Sequence, residues 1–156
     1  MTNTIVPAIY PSMAQAVADI GVLGISKDEK NSFQQFNFRS IDATLAAFNK
    51  VFAKNHIFMV HRTLNVEKKV IGQDNKGSNI WSISFDLEVS FFSGIDGSTL
   101  PNPSLITGVN DGKDSSKITG QLTSYLLKEL LFKQFLVPTS GAEDIDSRDS
   151  EGIPLS

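Results

Sequence analysis

The clearest pattern in the chain is a strict alternation of apolar and polar residues between positions 81 and 91. Apolar side chains occupy every second position, and serine or acidic side chains lie between them. The apolar positions are Trp81, Ile83, Phe85, Leu87, Val89 and Phe91. A period of two predicts a β-strand with one buried face and one exposed face.

A second alternating stretch begins at Phe58. Phe58, Val60, Leu64 and Val66 share one face of it. The opposite face carries Met59, His61, Thr63, Asn65 and Glu67. Residues 72–79 are rich in Gly, Asn and Asp, which favour turns, so the two stretches are predicted to form an antiparallel hairpin. Residues 104–109 are predicted to form a third, shorter strand.

Three further segments are predicted to be helices. Residues 8–22 are apolar and compatible with a helix. Ser40 is suited to an N-cap, and the spacing of the apolar residues after it predicts a helix over about 41–55. A long last helix is predicted to be capped by Asp114 or Ser115 and to end before Pro138. Its predicted core face consists of Ile118, Leu122, Tyr125, Leu126 and Leu130.

This order of elements is typical of an α+β domain in which a long helix backs a small antiparallel β-β-β sheet, with helices N-terminal to it. We divide the chain into an N-terminal helix and linker (1–35), a core domain (36–140) and an acidic, disordered tail (141–156). The edge strands of so small a sheet are exposed. Pairing with another subunit, in a ring or filament, is one way of covering them.

Composition excludes several classes of function. The 156-residue chain contains no cysteine, so it has no disulfide, no thiolate zinc site and no cysteine nucleophile. No stretch approaches the ~20 apolar residues needed to span a bilayer. No basic segment followed by an apolar run opens the sequence. We therefore expect a soluble protein that is not secreted and has no membrane partner.

The net charge of -3 is unevenly distributed. Residues 143–156 hold five acids and one base, which leaves 13 basic and 12 acidic residues in 1–142. Residues 39–69 contain six bases and two acids. A basic patch on a nearly neutral body is sufficient for binding phosphates.

Two motifs carry a family resemblance. The first is an aromatic-x-Phe-Arg-Ser-Ile-Asp opening and the helix after it, from Phe36-Asn37-Phe38-Arg39-Ser40-Ile41-Asp42 to Phe52-Ala53-Lys54-Asn55-His56. The second is the last helix and the residues just after it, with matches at Gly120, Ser124, Tyr125, Lys128, Leu131, Val137, Thr139, Glu143 and Asp144. Over about residues 34–146 the chain resembles the essential recombination function (Erf) family of phage single-strand annealing proteins.

Two departures from the family pattern stand out. After Thr-Tyr, the family has two adjacent basic residues and then an aromatic residue. The corresponding positions here are Leu127, Lys128 and Glu129. Many members also continue into a longer C-terminal region that serves oligomerisation or partner binding.

The resemblance implies a hairpin-rich sheet backed by a long helix and assembled into rings. It implies a non-catalytic protein that binds single-stranded DNA and promotes ATP-independent annealing of complementary strands in phage recombination, in the cytoplasm of the bacterial host. The expected partners are single-stranded DNA, further copies of the chain, and a phage exonuclease or single-strand-binding protein. No cofactor is expected, which agrees with the absence of a Gly-Lys-Ser/Thr phosphate loop.

Binding a single strand requires cations for the phosphates and exposed aromatic faces for the bases. The candidate DNA-binding residues are Arg39, Lys50, Lys54, Arg62, Lys68, Lys69, Lys113, Lys117, Lys128 and Phe38. The alternative for each lysine is an ordinary solvated side chain. For Arg39 it is an ion pair with Asp42, and for Phe38 it is a place in the core.

Two other functions remain open at this stage. A protein-binding module that recruits or inhibits a host replication or repair enzyme would bind through an apolar interface, with little dependence on salt. A metal nuclease would use Asp86 and Glu88, but its acid-x-Lys pattern requires lysine where Ser90 stands. The two histidines, His56 and His61, make a poor metal site without cysteine.

Overall fold

The computed structural model describes residues 5–25 and 41–137. In chain order it contains α1 (Ile9–Ile25), α2 (Ile41–Lys54), β1 (Ile57–Gln73), β2 (Asn79–Ser93), β3 (Ser104–Gly112) and α3 (Ser115–Gln134). The predicted α+β class, element order and antiparallel hairpin are confirmed. The candidates Phe38 and Arg39, the predicted cap Ser40 and the tail 141–156 lie outside the described residues.

The three strands form one antiparallel sheet in the order β1-β2-β3. The odd-numbered side chains of β2 from Ile83 to Ser93 are buried, and the even-numbered ones between them are half-buried. We call the face with the odd-numbered β2 side chains the inner face and the opposite one the outer face. The alternation at 81–91 therefore predicted the buried face of this strand correctly.

The helix α3 covers the inner face of β2 and β3. Its N-cap is Asp114, whose side chain accepts the N–H groups of Ser116 and Lys117. Leu122 and Leu126 lie over Gly108, where a Cβ atom would stand 3.0 Å and 2.8 Å from their methyl carbons. Ile118 lies over Gly112 in the same way. The helix can approach the sheet this closely because β3 has glycine at both contacts.

Aromatic rings join α2 and the end of α3 to the sheet. The ring of Phe52 meets that of Phe91 on the inner face of β2, with centroids 6.1 Å apart. Phe135 contacts Phe91 at 5.6 Å and Phe48 at 5.4 Å. The helix α1 adds buried residues to the same core, namely Ile9, Met13, Ala16 and Ile20. The described helices and the sheet therefore share one hydrophobic core.

The strand β1 is exposed along almost all of its length. Of its 17 residues, Ile57 alone is buried. Phe58 and Val60 pair with Phe92 and Ser90, which places them on the outer face, where they are about half exposed. The apolar face predicted for β1 is thus the face opposite to the core. The register shifts between Leu64 and Glu67 and again between Val70 and Gly72, so the phase of alternation also changes along the strand.

The predicted core position of Tyr125 is wrong. Its spacing from Ile118 and Leu122 placed it on the buried face of α3, but its side chain is 60% exposed. The other predicted core residues of the helix, including Leu126 and Leu130, are buried. The helix rests on the edge strand β3, so the buried stripe is narrower at this turn than the helical period alone indicates.

The glycine contacts predict opposite effects for two glycine-to-alanine substitutions. Gly108→Ala places a methyl group against Leu122 and Leu126, and should destabilise the protein by about 1–2 kcal/mol through overpacking. Gly120→Ala adds a methyl group where nothing lies within 4 Å. It should stabilise the protein by roughly 0.5–1 kcal/mol because alanine favours a helix over glycine. Urea denaturation measures both, and stabilisation by Gly108→Ala would contradict the close approach of α3.

The N-terminus of α1 is held by the loop that follows β2. Asp96 accepts the N–H of Ala8 at 2.9 Å, and Ser98 Oγ accepts the N–H of Ile9 at 3.0 Å. These N–H groups belong to the helix start, where donors lack partners within the helix. The hydrogen bond from the Ser98 side chain, followed by the N–H of Ala8, lowers the pKa of Asp96 to about 2.

This lowered pKa predicts a stability change in acid. Because the folded pKa of Asp96 is about 2 and its ordinary value is 3.8, its stabilising effect is complete above about pH 4 and is lost as the pH falls toward 2. The melting temperature of the wild type, followed by circular dichroism, should therefore fall more steeply over this range than that of Asp96→Asn. Asp111→Asn controls for the loss of one exposed carboxylate. Equal slopes for the wild type and Asp96→Asn would refute the role of Asp96.

Candidate nucleic-acid interface

The two faces of the sheet differ in charge. The outer face carries two bases, Arg62 and Lys69, and four acids, a balance of two minus four, or -2. The acids are Glu67, Asp86, Glu88 and Asp111. The inner-face positions of the described strands carry Lys68 and His61 and no acid. The strand residues of the inner face therefore repel a polyanion less than those of the outer face do.

Lys68 lies on the inner face near the β1–β2 turn. Its Nζ atom is 4.5 Å from the centroid of the Trp81 ring and donates a hydrogen bond of 3.1 Å to Ser115 Oγ. Trp81 is half-buried and pairs with Gly112, so its ring lies beside the start of α3. A cation–π contact at an exposed site contributes about 0.5–1 kcal/mol, which holds the lysine only weakly.

Lys113 lies immediately before α3 and forms an ion pair with Asp74 in the β1–β2 turn. The Nζ–Oδ2 distance is 2.6 Å. The hydrogen bond from Lys113, followed by the N–H of Ser78, lowers the pKa of Asp74. The Lys113 side chain is 63% exposed and that of Asp74 is 15% exposed, so the lysine side of the pair is open to solvent, and ion pairs at the surface are generally worth at most about 1 kcal/mol. A phosphate group can therefore replace the carboxylate at small cost.

Lys117 completes a group of cations at this end of the sheet. It is exposed in the first turn of α3, two residues after Ser115. We call Lys68, Lys113 and Lys117, together with Trp81 beneath Lys68, the tip cluster. The hairpin and the start of α3 contribute its members from separate parts of the sequence.

The outer-face candidates lie among acids. Arg62 Nε donates to Glu88 Oε1 at 2.7 Å. Asp86 accepts hydrogen bonds of 2.7 Å from both Thr107 and Asn65, and these bonds, that of Thr107 first, lower its pKa. The two carboxylates that the nuclease hypothesis requires are thus engaged with protein side chains. Lys69 also projects from the outer face, because Lys68 and Lys69 alternate across the strand.

The α2 candidates lie at the opposite end of the sheet, beside the start of β1. Lys54 pairs with Asp19 of α1, with 3.4 Å between Nζ and Oδ2. Hydrogen bonds from Asn55 and then Gln15 lower the pKa of Asp19. Lys50 is exposed and lines an open groove of about 290 Å³ between α1 and α2. These cations are separated from the tip cluster by most of the length of β1.

The remaining described candidate is Lys128. Its Nζ atom lies 5.6 Å from the centroid of the Phe132 ring, about three turns of α3 beyond Lys117. The structure therefore brings three of the candidates together, in the tip cluster. It places Arg62 and Lys69 on the other face, and Lys50 and Lys54 at the other end.

Two features were missed by the sequence analysis. The predicted packing of Trp81 is confirmed, since it packs half-buried against the core, but its position beneath Lys68 was not predicted. Phe58 and Phe92 stack on the outer face, with centroids 5.2 Å apart and an interplanar angle of 12°. The sequence did contain a signal for the half-buried position of Trp81. It is the apolar residue of β2 nearest the β1–β2 turn, where the core ends.

Two kinds of site are absent from residues 5–25 and 41–137. No three His, Asp or Glu side chains there are grouped so that they could hold a metal ion. No helix in these ranges is long and apolar enough to cross a membrane.

Comparison with known proteins identifies the family. No curated protein and no solved structure matches the chain significantly. The sequence profile of the ERF superfamily matches residues 9–152, which is nearly the whole chain. The chain therefore belongs to the ERF superfamily, a family of phage recombination proteins.

Proposed function

We propose that this protein binds single-stranded DNA on the inner side of the sheet and promotes annealing of complementary strands without ATP or metal. The observation that carries the proposal is the separation of charge between the two faces of the sheet. The inner-face positions hold Lys68 and no acid, whereas the outer face has a balance of -2. Membership of the ERF superfamily supports the same function.

The tip cluster suits a single strand because its cations are exposed and only weakly held. Lys68, Lys113 and Lys117 can each meet a phosphate, and each contact releases counterions, which gives log affinity a salt slope of about -0.7 per contact. The bases are not enclosed, since the inner face of β1 beyond its start is open to solvent. A strand held by its phosphates keeps its base edges free to find a complement.

The wider predictions from the sequence form part of the same proposal. Binding is non-catalytic and takes place in the host cytoplasm, with a phage exonuclease or single-strand-binding protein as further partner. Lys128 extends the contact along α3. Arg39 and Phe38, which precede α2, stay candidates for phosphate and base contact. Lys50, Lys54, Arg62 and Lys69 would contact DNA only where the strand leaves the inner face.

Trp81 provides a built-in reporter, because it is the one tryptophan of the chain and lies beneath Lys68. Adding an unlabelled oligonucleotide should change the Trp81 emission. Two complementary oligonucleotides should anneal faster with the protein, and added salt should abolish the acceleration. Lys68→Ala should reduce the salt slope by about 0.7.

The matched control is Lys69→Ala, which removes the neighbouring charge on the opposite face. It should bind more tightly than Lys68→Ala and leave the change in Trp81 emission intact. Equal losses in the two variants would contradict inner-face binding. Absence of strand binding at low salt would refute the annealing function and favour the protein-binding module.

The ion pair in the β1–β2 turn predicts a variant with tighter binding. Asp74→Asn removes the carboxylate that holds Lys113, so this ammonium group becomes available to phosphate and one repulsive charge is lost. Affinity for a single strand should rise a few-fold at low salt, since an exposed pair is worth about 0.2–1 kcal/mol. Fluorescence anisotropy of a labelled oligonucleotide measures it. In the background of Lys113→Ala the gain should shrink, and a gain of the same size there would contradict this exchange of partners.

A further inference from the structure

An open apolar pocket lies where α2 meets the start of β1, and we call it the α2 pocket. Its volume is about 380 Å³, within the range of about 300–1,000 Å³ that is usual for small-molecule sites. Four of its lining residues, Phe48, Phe52, Ile57 and Leu131, are buried in the core. The pocket is therefore a concave part of the core surface that the described residues leave open.

The rim of the α2 pocket carries side chains that a ligand can contact. Phe58 is 49% exposed, and its ring stacks on that of Phe92 with 5.2 Å between the centroids. Met59 is half-buried, and Asn49 and Ala53 are exposed on α2. The amide of Asn49 offers both donors and an acceptor beside an otherwise apolar surface. Such a pocket suits a flat ring with polar edges.

The α2 pocket is continuous with the inner side of β1. From Lys68 of the tip cluster toward the start of the strand, the inner-face positions include Thr63, His61 and Met59, and we call these four residues the inner track. Thr63 and His61 are exposed, and the track contains no acid. Since Met59 lines the pocket, the track leads from the tip cluster into it.

The length of the inner track fits several nucleotides. Lys68 and Met59 are nine positions apart, which is about 30 Å at ~3.3 Å per residue of a strand. Stacked nucleotides, at about 3.4 Å each, cover this distance in roughly nine steps, and an extended strand needs fewer. The backbone of α3 does not approach β1 in the described residues, so the helix leaves this path open.

We propose that the α2 pocket binds one base of the strand, turned out of the stack, while the tip cluster holds phosphates at the other end of the inner track. This inference rests on the proposed function. A base of a single strand turns out at small cost, because no base pair has to be broken. Bases over Thr63 and His61 stay uncovered and can pair with a complement.

The chemistry of the α2 pocket favours a base over the other parts of a strand. A phosphate is excluded because none of the described lining residues is charged, and burying an unpaired charge against apolar side chains is costly. A base has the flat face that stacks on aromatic rings, and its edge can pair with the amide of Asn49. Stacking of one base on aromatic side chains raises affinity roughly 5- to 140-fold.

A methionine methyl group reports directly on the α2 pocket. The chain has three methionines, of which Met59 lines the pocket and Met13 is buried in the core beside α1 as an internal reference. In protein isotopically labelled at the methionine methyl groups, an oligothymidylate that spans the inner track should shift the Met59 resonance through the ring current of the bound base. The Met13 resonance should stay in place, and Met59→Leu assigns the signals.

An abasic oligomer with the same number of phosphates separates base binding from phosphate binding. It should change the Trp81 emission, because it still reaches the tip cluster, and it should leave the Met59 resonance unshifted. The oligothymidylate should bind about fivefold or more tightly than the abasic oligomer. Lys68→Ala should weaken both oligomers and preserve this preference for bases.

Filling the pocket provides the matching variant. Ala53→Leu places a larger side chain at an exposed position of α2, where leucine is nearly as favourable as alanine in a helix. It should abolish the Met59 shift and most of the preference for bases, and leave affinity for the abasic oligomer unchanged. Ala46→Leu, also exposed but two turns earlier and outside the pocket, is the control and should bind both oligomers as the wild type does.

The outcomes separate the base pocket from the proposed function. An oligothymidylate that changes the Trp81 emission without shifting the Met59 resonance would overturn the base pocket and leave strand binding intact. Equal Met59 shifts from the two oligomers, or equal losses in Ala53→Leu and Ala46→Leu, would overturn it as well. If neither the Trp81 emission nor the Met59 resonance responds at low salt, the proposed function itself is refuted and the base pocket with it.

Discussion

The packing of α3 against the inner face of β2 and β3 is the contact on which the rest of the structure depends. It buries Leu122 and Leu126, and it requires the absence of side chains at Gly108 and Gly112. A helix covers little more than two neighbouring strands, given strand spacings of about 4.8 Å and a helix diameter of about 10 Å. A helix centred on β3 and β2 therefore leaves β1 open. The contact that forms the core also creates the exposed inner surface.

The local patterns of the sequence predicted most of the fold, because strands and helices impose periods of two and 3.6 on burial. The hairpin, the third strand and the Asp114 cap follow from such patterns. The orientation of β1 does not, since alternation shows that Phe58 and Val60 share a face without showing which face the core occupies. The prediction that Tyr125 is buried is wrong for a related reason, because the width of the buried stripe of a helix depends on the surface that the helix packs against.

The candidate site was harder to predict than the fold, since a sequence does not show which surface a charged side chain faces. Lys68 and Lys69 are neighbours in the chain and lie on opposite faces of the sheet. Lys113 and Asp74 are 39 positions apart and form an ion pair. Composition indicated that residues 39–69 are basic, but the strand register divides that charge between two surfaces. The family resemblance did not reduce this uncertainty, because it rests on motifs outside the hairpin.

Weak individual contacts are what an annealing surface requires. A strand bound tightly in an enclosed pocket would be slow to shift register and would hide its base edges from a complement. Exposed lysines such as Lys113 exchange a carboxylate for a phosphate at a cost of about 1 kcal/mol or less. In the proposed function, useful affinity then comes from several weak contacts along one strand, because linked contacts raise each other's effective concentration.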